Sequence, residues 1–185
     1  QGWQHALTLP HELHVRNGRL IQQPIKELLD LRAEHAHFTT KEDLNQADSL
    51  PLENSFGFPV FETELTFSDC KQMELALRDG VTLSFSNGVL TLDLKKGGFG
   101  RTSRSVELTS LSQLRIYSDT TSLEIFVNGG EEVFTTRLYS QISDPSNDHD
   151  LSTNTNARPL ALTGDCSATV DVWKLRAFEV SRTQN

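Results

Sequence analysis

The chain has 185 residues, enough for one domain or a domain with an appendage, and long enough to bury a core without disulfide or metal staples. Its 17 Lys and Arg stand against 25 Asp and Glu, a formal charge of −8. That balance argues against the basic face which non-specific nucleic-acid binding needs, and leaves neutral ligands such as sugars open. Apolar runs of only a few residues exclude a transmembrane helix. Because the chain opens on Gln1, it is expected to be a processed product or a fragment, so the lack of a readable signal peptide carries no weight.

In chain order, Leu7, Leu9 and Leu13-His14-Val15 flank a break at Pro10, and Asn17-Gly18 turns the chain into Arg19-Leu20-Ile21. This predicts a separate hairpin over residues 1–24, ending at Pro24. Ile25, Leu28, Leu29 and Arg32 follow at i, i+3, i+4, i+7, which predicts a short helical turn or irregular linker over 25–45. Residues 41–55 are polar and turn-rich.

From residue 46 onward the pattern has period two. Phe61, Leu65 and Phe67 oppose Glu62 and Glu64; Met73, Leu75 and Leu77 alternate with Glu74, Ala76 and Arg78. Val81, Leu83 and Phe85 lead through Asn87-Gly88 into Leu90, Leu92 and Leu94. Leu123, Ile125 and Val127 lead through Asn128-Gly129-Gly130 into Val133 to Leu138. Strands joined by tight turns, without intervening helices, predict an all-β antiparallel sandwich over 46–185. The last strand, Ala168 to Val180, changes phase between Val172 and Trp173, which predicts a bulge there with Trp173 in the core. The expected core is Phe61, Leu65, Phe67, Leu75, Leu77, Leu83, Phe85, Leu92, Ile116, Ile125, Val127 and Trp173. Residues 143–158 read as a polar loop.

Several segments resemble glycoside hydrolase family 32. Leu7-Thr8-Leu9-Pro10-His11-Glu12-Leu13, after Gly2-Trp3, is similar to that family's Leu-Thr-Leu-Pro-Arg-Glu-Leu run. Asn17-Gly18-Arg19-Leu20 with Gln23-Pro24-Ile25-Lys26-Glu27-Leu28 resembles its Gly-Arg-Leu…Arg-Pro-x-x-Glu-Leu segment. Leu114 to Asp119, running into Ser122 to Glu131, resembles its Leu-Arg-Ile-Phe-x-Asp-x-Ser-x-Glu-Ile-Phe-Val-Asn-Asp-Gly-Glu stretch. His11 and Gln23 replace arginines of the family pattern, Gly129 replaces an aspartate, and Leu92-Asp93-Leu94 replaces its Leu-Asp-Arg.

The resemblance implies the jelly-roll-like, concanavalin-like C-terminal sandwich of a retaining β-fructofuranosidase, most similar to the sucrose-6-phosphate hydrolase branch. It implies a catalytic β-propeller in the parent, and makes the first hairpin the remainder of its last blade. The propeller's Asn-Asp-Pro-Asn-Gly, Arg-Asp-Pro and Glu-Cys motifs are absent: Ser143-Asp144-Pro145-Ser146-Asn147, Arg78-Asp79-Gly80 and Asp165-Cys166 do not match them. No catalytic residue, metal ligand or cofactor is therefore expected in this chain. Its expected partners are the propeller, a second copy through the orphaned hairpin, and, for the parent, sucrose-type sugars. The rival reading is a stand-alone carbohydrate-binding module with an aromatic platform, for which Trp3, Trp173, Tyr117 and Tyr139 are the candidates.

The remaining candidates read as structural. Glu62 and Glu64 lie roughly 7 Å apart by strand rise and are expected on a wet face, unlike the carboxyl pair about 5–5.5 Å apart of a retaining glycosidase. Glu131-Glu132 is expected to be solvated, and Asp119 and Glu124 to bond turn amides or a cross-strand cation. His35 and His37 share a strand face but have no third ligand for zinc. Cys70 and Cys166 are expected as free thiols in a reducing, cytoplasmic compartment, with a disulfide as the alternative. Gly97-Gly98-Phe99-Gly100-Arg101 lacks a P-loop ending and reads as a strand connection.

Overall fold

The computed structural model describes residues 7–47, 60–98, 100–139 and 160–177. Trp3, the 143–158 loop, and Phe178 and Val180 lie outside them. Thirteen strands occur among the described residues, all paired antiparallel. A two-stranded hairpin, β1 (His11–Arg16) and β2 (Arg19–Pro24), stands beside two packed sheets.

The six-stranded sheet runs in the order β11 (Glu132–Arg137), β10 (Ser122–Val127), β9 (Gln113–Ser118), β4 (Phe61–Cys70), β13 (Cys166–Leu175), β3 (Arg32–Phe38). The five-stranded sheet runs β12 (Leu160–Thr163), β5 (Gln72–Leu77), β6 (Thr82–Ser86), β7 (Val89–Asp93), β8 (Ser103–Glu107). Asn17-Gly18, Asn87-Gly88 and Asn128-Gly129 each have positive φ at both positions, the turn geometry whose twist matches the strands they join. The inner faces form one core. Phe61, Leu65, Ile116, Ile125, Val127, Val170 and Val172 of the first sheet meet Leu75, Leu77, Leu83, Phe85 and Leu92 of the second. Every expected core residue except Trp173 is in it.

The last strand has no bulge at the expected place: β13 pairs with β4 without a break from Ala168 to Lys174, and the irregularity between Trp173 and Leu175 in the pairing with β3 adds its extra residue to β3. Plain alternation from Val170 and Val172 therefore puts Trp173 on the outer face, where the ring is half-buried rather than in the core. The stretch 25–45 is not a linker. Lys26–Leu31 form a 3₁₀ turn with Leu28 buried, Arg32–Phe38 form edge strand β3 on β13, and Lys41–Gln46 form a short helix, α1. Thr40 caps α1 by accepting the Asp43 N–H, and Leu44 packs wholly buried in the core. The sandwich therefore begins well before residue 46, because β13 needs a neighbour on its open side. Residues 48–55 of the predicted turn-rich stretch lie outside the described residues.

The hairpin is not an orphan. Ile21 is buried and Leu9 partly covered, while Leu13, Val15 and Leu20 are 62%, 77% and 52% exposed. The Gln22 N–H donates to Gly130 O at 3.0 Å, and the Gln23 side chain donates to Gly129 O. A Cβ at Gly130, whose φ is +94°, would lie 2.0 Å from Gln22 O, so only glycine lets the two backbones meet. Arg16 and Arg19 pair with Glu131 and Glu132, which are thus half-exposed clasps rather than free solvated charges.

Candidate functional site on the outer face of the six-stranded sheet

Strand register builds two rows of side chains across the outer face. One runs His35, Trp173, Glu62, Tyr117, Glu124; the next runs His37, Asp171, Glu64, Arg115, Phe126. Period two places all of these opposite the core, yet much of the face is dry.

Glu62 is fully buried, against the expectation of a wet position. Arg32 Nη2 and Nε donate to its two carboxylate oxygens at 2.6 and 2.8 Å, and Arg115 Nε donates at 2.6 Å. The forked contact from Arg32 matches guanidinium to carboxylate geometry. Burial works against the Arg32 charge, but the Glu62 hydrogen bonds and field outweigh it, so its pKa is raised. Trp173 roofs the group: the Arg32 guanidinium carbon lies 3.5 Å from its ring centroid, and His35 stacks on the ring at 4.8 Å. Glu64 accepts from the Gln113 side chain at 2.5 Å and lies 3.8 Å from Arg32. Tyr117 is buried edge-on to Phe126, and burial, then the Glu62 carboxylate, push its phenol pKa up.

Glu124 and Asp119 differ in what holds them. Glu124, nearly buried, accepts the Leu9 N–H at 2.6 Å and bonds the His11 ring at 3.0 Å, holding the entry to the hairpin. The bonding is structural, but to the entering segment and the hairpin rather than to turn amides or a cross-strand cation. Asp119 is exposed at a turn, where its carbonyl accepts from Arg78. His35 and His37 sit on β3, both bonded to one Asp171 oxygen at 2.8 and 2.9 Å. Burial raises the Asp171 carboxyl, but the two imidazole contacts outweigh it and hold its pKa below the usual range. Among the described residues no cluster of three or more His, Cys, Asp or Glu has metal-ligating geometry. The thiols of Cys70 and Cys166 are free, on directly paired positions of β4 and β13.

Below the rows a cleft of about 900 Å³ opens between the Leu7–Pro10 segment and the ends of the sheet. Its walls are mainly apolar, with Leu9, Leu28, Leu31, Val60 and Leu175, and Glu124 and Lys174 at the side. Trp173 and Tyr117 are committed to packing, and Tyr139 lies between Arg101 and Arg137, each 5–6 Å from its ring. These three therefore do not make a flat exposed platform for sugar. What sequence reasoning missed was Arg32 and Arg115 as partners of Glu62; β3 had been hidden in an apparent linker.

A retaining glycosidase needs two carboxyls that both reach one anomeric carbon. Glu62 cannot touch a substrate beneath Trp173 and two guanidiniums, and Glu124 is enclosed by the hairpin. The arrangement is suited to holding strands and an appended hairpin together.

The profile described as glycosyl hydrolases family 32 C terminal matches residues 25–174. A probable sucrose-6-phosphate hydrolase of Vibrio cholerae is 34% identical over 143 residues, 76% of this chain and 25% of that protein. Sucrose-6-phosphate hydrolase of Bacillus subtilis is 29% identical over 180 residues, 94% of this chain and 34% of that protein. The structure of sucrose-6-phosphate hydrolase from Lactobacillus gasseri superposes with a TM-score of 0.67 at 19% identity, over 90% of this chain and 33% of that one. The chain thus spans a quarter to a third of the length of these relatives. With the matched profile covering most of the described sandwich, the chain belongs to glycosyl hydrolase family 32, as its C-terminal domain.

Proposed function

We propose that this chain is the non-catalytic domain of a cytoplasmic sucrose-6-phosphate hydrolase, a retaining β-fructofuranosidase whose catalytic β-propeller belongs to the same parent protein. The domain's work is structural: it packs against the propeller and stiffens it. The resemblance in sequence and the names of the relatives support the substrate class. The observation that carries the docking role is the outward row Leu13, Val15 and Leu20, exposed on a hairpin whose other face is fastened to the sandwich. Such a row is poorly tolerated in water and suits burial against a partner sheet.

In the parent the propeller covers this row. In the isolated chain a second copy takes its place, most simply about a two-fold axis. Sedimentation of the 185-residue chain tests this, with Val15→Asp as the variant. The expected result is a concentration-dependent dimer that the variant dissociates, and a lower melting temperature when Val15→Asp is placed in the parent enzyme. A monomer at high concentration together with an unchanged parent would overturn the docking role.

A further inference from the structure

Cys70 and Cys166 are 96 positions apart in sequence, yet they face each other across β4 and β13. A bulge makes this so. Pairing is regular from Phe61 to Phe67 opposite Ala168, then Ser68 is skipped, and Asp69 and Cys70 pair with Ser167 and Cys166. Without the extra residue Cys70 would share the outward face with Glu62 and Glu64. The one-residue shift turns it inward, so that both thiols border the core, Cys166 buried and Cys70 half-exposed. Directly opposed residues on antiparallel strands have Cα atoms about 4.5 or 5.5 Å apart, and both values fall within the span a disulfide bridges.

The end of the sheet that carries them is fixed. Lys71 and Gln72 N–H groups both donate to Asp165 O, at 3.1 and 3.3 Å. Lys41 Nζ donates to the carbonyls of Gly164 and Cys166, at 2.7 and 3.0 Å. A Cβ at Gly164, whose φ is +112°, would lie 2.5 Å from Gln72 O, so the turn before Cys166 is seated on the start of β5.

We propose that Cys70 and Cys166 are a modification site: a cross-strand dithiol that low-molecular-weight disulfides such as oxidised glutathione convert to one intramolecular disulfide. The Cys70 thiolate attacks one sulfur of oxidised glutathione and expels a glutathione thiolate, leaving a mixed disulfide on Cys70. The Cys166 thiolate then attacks the Cys70 sulfur, expels the second glutathione thiolate and forms the Cys70–Cys166 bond. The two cysteine protons pass to the two glutathione thiolates. Two electrons leave the cysteines and reduce one glutathione disulfide. Cys70 is the entry point because it is the more exposed.

The groups around the pair set its pH dependence. Burial, then the Cys166 thiol and the Asp69 and Asp165 carboxylates, push Cys70 up to about 12. Burial also raises Cys166, with Asp165 and Glu42 adding to it and Lys41 and the Cys70 thiol opposing. Both thiols are therefore protonated at neutral pH. Oxidation is slow there and speeds up about tenfold per pH unit as the thiolate fraction grows.

The test is incubation of the 185-residue chain with excess oxidised glutathione at about pH 9, followed by intact mass, peptide mapping and melting. The expected product is lighter by two hydrogens, carries no glutathione, yields a Cys70–Cys166 cross-linked peptide, and melts roughly 5–10 °C higher until a thiol reductant is added. Cys166→Ser should stop at a glutathione adduct on Cys70. Two free thiols at equilibrium, an adduct that wild type does not resolve, or a cross-link no more favourable than in urea-unfolded chain would each overturn the proposal.

Discussion

The two faces of the six-stranded sheet come from the same strands and solve burial in opposite ways. Along β4, Phe61 and Leu65 enter the apolar core, with the Thr63 hydroxyl between them donating to Asp171 O, while Glu62 is equally buried on the other side. The inner face is held by non-directional apolar burial, which tolerates exchange of one hydrocarbon for another of similar size. The outer face is held by matched charge, where each group is costly alone and acceptable only with its partner. Period two therefore reports which side a residue takes, and says nothing about whether that side is wet.

Cutting one residue from each face separates the two kinds of burial. Ile125→Ala, in the apolar core, should cost about 2–5 kcal/mol in urea unfolding. An unchanged midpoint would mean that β10 presents its other side to the core. Glu62→Gln should cost about 2–4 kcal/mol, since Arg32 and Arg115 then lose their counter-charge. Replacing Glu62, Arg32 and Arg115 together by Leu, Met and Met should recover much of that loss. A triple variant as unstable as the sum of its single variants would show that the three do not act as a unit.

The hairpin sharpens the contrast, because it is fastened by backbone fit and clasps at its rim. Gly130→Ala should cost about 1–3 kcal/mol and expose residues 11–24 to protease well below the unfolding temperature. Protection equal to wild type would mean that the Gln22 contact is not what seats the hairpin.

The smallest effects are in pH. The Asp171 carboxyl is held low in the folded chain, so its contribution is present above the unfolded value of about 3.9 and lost as pH falls through the lower folded value. Asp171→Asn should flatten that acid limb slightly. Cys70 shifts the opposite way. Its contribution is complete below the unfolded thiol value of about 8.5 and fades as pH rises towards about 12. Stability of the reduced chain should thus fall with alkalinity, and Cys70→Ser should lessen the fall.

Much of the inner architecture is legible in sequence. The alternations around Leu83, Leu92 and Ile125 and the Asn-Gly turns each follow from one strong local rule. The outer face is not legible in the same way. Whether Glu62 is wet depends on Arg32, Arg115 and Trp173, brought from three other strands, and no local pattern encodes that meeting. β3 was hidden because Arg32, Glu34, His35 and His37 show polar residues on both sides of an edge strand. Trp173 and Leu175 imitate a phase change because both outer-face positions carry apolar side chains; β13 itself stays in register with β4 through Lys174, and the ring lies outside the core. The Cys70–Cys166 pairing depends on a skipped Ser68, which alternation in β4 conceals until β13 is laid beside it.

The carboxylates of this domain hold structure, and none is expected to perform hydrolysis. The direct measurement is fructose and glucose release from sucrose, and hexose release from sucrose 6-phosphate, by the purified 185-residue chain freed of contaminating invertase. The account predicts release no faster than in buffer, for wild type and for Glu62→Gln alike. Turnover by the wild-type chain that Glu62→Gln or Glu124→Gln abolishes would contradict it.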